Sequence, residues 1–124
     1  MIDKKKLILR KQSDFNRIYR RGYSRGSKYI VILYMKNRLD YTRVAFVASK
    51  KVGNSVERNR ACRLMRESFR FLKEDIYKGY DIIFVARKSI ILSGKEEVQK
   101  SMRQSLVQCN LIEKKYRENE RRRD

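Results

Sequence analysis

Histidine is missing from this 124-residue chain, and cysteine occurs only at Cys62 and Cys109. Without histidine or a second thiol pair, the usual ligand sets of a zinc site cannot be assembled, and two lone cysteines make no disulfide framework. Two reduced thiols are the expected state. The commonest general base is missing too, so hydrolytic chemistry would have to rest on carboxylates. Those are scarce: Asp and Glu number 14 against 33 Lys and Arg. Nowhere do they cluster as metal-assisted phosphodiester hydrolysis requires. Glu113-Lys114-Lys115 is an E-x-K triplet of a kind seen in some nucleases, but such triplets arise readily in a chain so rich in Lys and Glu. The chain is expected to supply no catalytic residue and no metal ligand. Long apolar runs are lacking as well. Nothing approaches the roughly 18 apolar residues of a membrane span, and Leu7-Ile8-Leu9 is too short for a signal-peptide core. The expected location is cytoplasmic, with no membrane partner.

What is abundant is positive charge, a formal net +19. A compact chain so charged repels itself, and a polyanion relieves the repulsion, which puts nucleic acid first among partner classes. The length suits one domain, since these typically run to about 100–150 residues. Residues 1–115 are read as that domain, and 116–124, polar all round, as a disordered tail.

Along the chain, Phe15, Ile18 and Tyr19 repeat at helical spacing after Ser13, a possible cap, and Gly22 supplies a stop, which predicts a helix over about 13–21. The run Ser27 to Lys36 is β-branched and aromatic on both alternating faces, as a strand covered on both sides should be, with a shorter leading strand over 23–26. "TRVAFVASKKV" and "YDIIFVAR" read as two more strands. A last helix is predicted from Ser93-Gly94, with Ser93 as cap, to about Lys115. Strand, helix, strand around the central basic segment implies a parallel pair with a helical crossover, the neighbouring helices packing on one sheet face. The class is α+β, or α/β-like with a small sheet.

That basic segment, "KKVGNSVERNRACRLMRESFR" from Lys50 to Arg70, carries the most information. Asn54 and Glu57 resemble a capping box, so a helix should begin near Ser55, with Gly53 easing the strand exit. At about 100° per residue, Ala61, Leu64, Met65, Phe69 and Leu72 gather on one side. Asn59, Arg60, Arg63, Arg66 and Arg70 fall within about 120° on the other. Ion pairing along a solvated face is the ordinary explanation for such charge. Too few carboxylates lie nearby, only Glu57, Glu67, Glu74 and Asp75. Guanidinium forks also match phosphate oxygens.

These residues carry a resemblance: "KKVGNSVERNRACRLMR" is similar to the signature of the bacterial ribonuclease P protein subunit, an arginine-rich R-N-R motif after a Lys-Lys-x-Gly turn. "LRKQSDFNRIYRRG", "RVAFVASKKVGN" and "YDIIFVARK" resemble that family's first helix and the strands flanking the motif helix, so all but the tail is covered. Two positions depart: Cys62 stands where a basic residue is usual, and Ser55 where alanine is. The resemblance implies an α-β-β-β-α-β-α topology like domain 2 of ribosomal protein S5, with a left-handed crossover around the arginine helix against the usual right-handed rule. It implies a protein that assists a large catalytic RNA in cutting the 5′ leader from precursor tRNA, the RNA holding the Mg²⁺ ions and performing the hydrolysis. Lys50, Lys51, Arg58, Asn59, Arg60, Arg63, Arg66 and Arg70 would face that RNA. The leader would lie in a cleft between the first helix and the sheet, contacted by Phe15, Tyr19 and Tyr34; from spacing alone these three are as readily core residues. No obligatory protein partner follows. The alternative is a basic ribosomal or other structural RNA-binding protein.

Overall fold

The structure, a computed structural model, describes residues 7–113. One sheet is built from β1 (Tyr23–Gly26), β2 (Ile30–Lys36), β3 (Arg43–Val47) and β4 (Tyr80–Ala86), in the order β1-β2-β4-β3. β2 runs antiparallel to both β1 and β4, whereas β3 pairs with β4 in parallel. Three helices, α1 (Gln12–Arg21), α2 (Ser55–Arg70) and α3 (Lys95–Gln108), complete the α-β-β-β-α-β-α order, with α2 as the crossover between β3 and β4.

Alternation along the strands divides the core in two. Ile30 and Ile32 of β2 point with Ile82 and Phe84 of β4 toward α2 and α3, where Met65, Met102 and Leu106 are fully buried against them. The intervening Leu33 and Met35 point the other way and meet Ile83, Ala45 and Ile18 beneath α1. β2 is therefore covered on both sides, as its composition predicts. The helices do not share one face, however: α1 lies opposite α2 and α3. An apolar stripe says that a helix is buried, but not on which side of a sheet apolar on both.

The α2 start follows its sequence. The Asn54 side chain accepts from the Glu57 amide at 2.9 Å, and the Glu57 carboxylate accepts from the Asn54 amide at 3.0 Å. Gly53 stands at φ 154°, where any side chain would strain the turn and a Cβ would run into the Glu57 carboxylate. Elsewhere the ends shift. α1 begins at Gln12, so Ser13 lies inside the first turn and Lys11 takes the cap position without a side-chain bond. Gly94 rather than Ser93 caps α3, because the Ser93 hydroxyl donates to the Ile90 carbonyl at 2.7 Å. α3 ends at Gln108; the chain then turns through Asn110 at φ 57°, and Ile112 bridges Ile76 instead of extending the helix. β2 starts at Ile30, after a turn in which the Ser27 hydroxyl donates to the Ile30 carbonyl. The tail 116–124, together with Lys114 and Lys115, lies outside the described residues.

Candidate nucleic-acid interface

α2 presents its apolar stripe to the sheet through Ala61 and Met65, and Leu72, just past the end of the helix, is fully buried with them. On the outward side Asn59, Arg63, Arg66 and Arg70 are exposed, and Lys50 and Lys51 are exposed in the turn that leads to the helix. Among the described residues no carboxylate pairs with Arg63, Arg66 or Arg70. Arg66 lies 5.9 Å from the Phe46 ring centre, close enough for a cation–π contact that orients the guanidinium. The result is a ridge of guanidinium forks set on a rigid, capped helix.

Two of the predicted arginines behave differently. Arg60 turns to the α3 side and donates to the carbonyls of Ile91 and Ser93 at 3.2 and 3.1 Å. Arg58 is half-buried at the edge of the apolar stripe, with Nε shielded and without a hydrogen-bond partner. Cys62 occupies the same border, its Sγ 3.7 Å from the Phe46 carbonyl, and burial pushes its thiol pKa up while Arg66 pulls it down.

The predicted aromatic trio divides. Phe15 and Tyr19 stack on one flank of α1, their ring centres 6.4 Å apart. Phe15 packs against the α1-side core, and Tyr19 stays 51% exposed. Tyr34 shares its strand face with Ile30 and Ile32, as the sequence indicates, but that is the face α1 does not cover. Its ring meets Tyr23 at 5.6 Å, and burial followed by contact with Cys109 raises its pKa. A cleft shared by all three is not formed; Leu33, one residue earlier, is the β2 side chain directed to α1.

Sequence reasoning missed the ionic seam that holds α1 on the sheet. Asp81 of β4 is fully buried and accepts from both Nε and a terminal nitrogen of Arg43, at 2.8 and 2.7 Å. It also accepts from Arg17 of α1 at 2.7 Å and from Asn37 at 2.9 Å. Asp14 of α1 pairs with the other terminal nitrogen of Arg17 at 3.1 Å and accepts from that of Arg43 at 3.4 Å. These hydrogen bonds raise the Arg43 pKa, chiefly through Asp81. The available signal was an aspartate in the otherwise apolar "YDIIFVA" and another one turn before the buried Ile18.

With its oxygens taken by arginine and asparagine, Asp81 has none to offer a cation, and no group of three or more Cys, Asp or Glu among the described residues converges as a metal site. No described helix is long and apolar enough to cross a membrane.

The ridge and fold have counterparts in known proteins. A family model described as Ribonuclease P matches residues 4–110. The chain is 40% identical over 104 residues to the ribonuclease P protein component of Alkaliphilus oremlandii, covering 84% of this chain and 91% of that one. It is 44% identical over 96 residues to that of Clostridioides difficile, covering 77% and 84%. Among solved structures, the RNase P protein of Staphylococcus aureus superposes with a TM-score of 0.79 at 31% identity, over 86% of this chain and 98% of that one. That of Thermotoga maritima does so with a TM-score of 0.69 at 35% identity, over 76% and 89%.

Proposed function

The chain belongs to the ribonuclease P protein family, and on that premise we propose that it docks the α2 ridge on the RNA of the ribonuclease P holoenzyme and helps that RNA remove the 5′ leader of precursor tRNA. The observation that carries this reading is the set of exposed guanidinium groups on α2 that no carboxylate of the described residues neutralises. Phosphate oxygens are the complementary group, since each fork can donate two parallel hydrogen bonds to one phosphate. Lys50, Lys51, Asn59, Arg63, Arg66 and Arg70 are assigned to this contact, with Arg58 and Arg60 at its margins. Phe15 and Tyr19 are assigned to the leader, because a stacked pair with one open ring offers a platform for an unpaired base.

In this reading the bond-breaking chemistry, and the Mg²⁺ it uses, belong to the RNA, and the chain works in the cytoplasm. The protein neutralises phosphate charge and positions single-stranded RNA. Nothing in the ionic seam frees a carboxylate for acid or base work, because Asp81 and Asp14 are engaged by Arg17 and Arg43.

The test is reconstitution. Protein freed of RNA is expected to leave precursor tRNA intact at any Mg²⁺ concentration, and the RNA subunit with the protein to cleave at the mature 5′ end at lower Mg²⁺ than the RNA alone. Site-specific cleavage by the RNA-free protein would overturn the assignment.

A further inference from the structure

A groove of about 860 Å³ opens where the sheet edge is left uncovered. β1 begins opposite Tyr34, so Met35 and Lys36 at the end of β2 are paired only to β4. Tyr23, Tyr34 and Tyr80 line one side of the opening, with Arg21, Lys36 and Arg38 around them. Tyr23 is 70% exposed, and Tyr34, held against it at 5.6 Å, backs its ring. Arg21, Lys36 and Arg38 are all exposed. No acidic side chain lines the groove, and Asp81, behind it, is covered by Arg17, Arg43 and Asn37.

This groove is separate from the Phe15–Tyr19 platform. On the α1 wheel, Arg17 and Arg21 lie about 160° from Phe15 and Tyr19, so the body of the helix stands between them. Neither is the groove part of the α2 ridge, because its lining comes from α1, β1, β2 and β4 and from the turn after β2.

We propose that this groove is a further RNA-binding site, which takes a single-stranded segment with one base on the Tyr23 ring and its flanking phosphates on Arg21, Lys36 and Arg38. Open aromatic faces interleaved with cations suit unpaired nucleotides, which can offer a π-face and a phosphate at each step, whereas a duplex keeps its base faces stacked inside. An acidic peptide would satisfy the cations but would leave the rings unused. The proposal rests on the chain being an RNA-binding subunit, and is independent of any leader contact at Phe15 and Tyr19.

The experiment uses the full chain and a fluorescent single-stranded hexaribonucleotide containing 4-thiouridine, read by anisotropy and by photo-crosslink mapping. In a Phe15→Ala/Tyr19→Ala background the hexamer should still bind and should crosslink near Tyr23 and Tyr80. Adding Tyr23→Ala should weaken binding by roughly fivefold to a hundredfold, with Tyr23→Phe restoring it. Because Tyr23 is mostly exposed, melting curves should not move. Unchanged affinity in Tyr23→Ala, crosslinks confined to α2, or equal competition by a hexaglutamate peptide would each overturn the proposal. Binding of the wild-type chain to the ribonuclease P RNA is measured alongside: failure there counts against the proposed function, while intact binding of that RNA with no hexamer binding in the Phe15→Ala/Tyr19→Ala background counts against the groove.

Discussion

Arg43 and Arg63 carry the same side chain and meet opposite surroundings. Arg43, on β3, is locked between Asp81 and Asp14 with every guanidinium nitrogen engaged. Arg63, on α2, is exposed and has no carboxylate partner among the described residues. The difference lies in where the acids are. A chain with 14 acidic residues against 33 basic ones cannot neutralise every cation. It places two aspartates where α1 meets the sheet, so the arginines there are structural, and leaves those on α2 without a carboxylate partner among the described residues. Net charge therefore says little about any single arginine; the nearest carboxylate decides whether it serves the fold or the partner.

The comparison breaks most visibly at Asp81. Asp81→Asn keeps the shape but leaves two guanidinium groups without their shared anion. The expected loss is about 3 kcal/mol, the lower end for a broken buried pair because Arg17 remains partly in water. Denaturant unfolding measures it, and the folded fraction should keep the salt dependence of RNA binding. On the other side, Arg63→Ala should leave stability within about 0.5 kcal/mol, as surface substitutions usually do. It should reduce the slope of log affinity against log salt by about one phosphate contact. A large drop in melting temperature with an unchanged slope would place Arg63 with Arg43 instead. Arg60 sharpens the boundary because it belongs to both sets: it holds two backbone carbonyls and still sits on the exposed surface of α2. Arg60→Ala is expected to lose about 1 kcal/mol of stability, as charge-assisted hydrogen bonds at a wet site allow, and to reduce the salt slope by less than Arg63→Ala. Equilibrium unfolding and a salt titration on the same variant separate the two losses.

Legibility in the sequence followed the range of the interactions. The α2 register, its capping box and its ridge depend on residues within a few positions of one another, and all were readable. So were the four strands, whose apolar runs announce themselves. The side of the sheet on which α1 lies depends on long-range pairings such as Arg17 with Asp81, 64 residues apart, and no local pattern encodes that. Tyr34 shows the cost: its strand phase was read correctly, yet its neighbours were misjudged because the position of α1 was not known. The fold of the last turn, where Ile112 leaves the helix to bridge Ile76, was hidden because an apolar residue at helical spacing suits either outcome.

The N-terminal segment has a bearing on how copies of this chain meet each other. β3 is the outer strand on its side of the sheet, and Ile8 bridges Val44 in parallel while the Leu9 amide donates to the Val44 carbonyl at 2.9 Å. Part of that margin is thus occupied by the chain itself. The opposite margin, β1, is only four residues long and carries Arg25. Neither outer strand offers a long, flat row of unpaired amides and carbonyls, the template along which sheets of separate molecules join. Like charge keeps the molecules apart only over about 8 Å at physiological ionic strength. Once salt has screened that repulsion, the blunted margins still deny two colliding copies a register in which to pair.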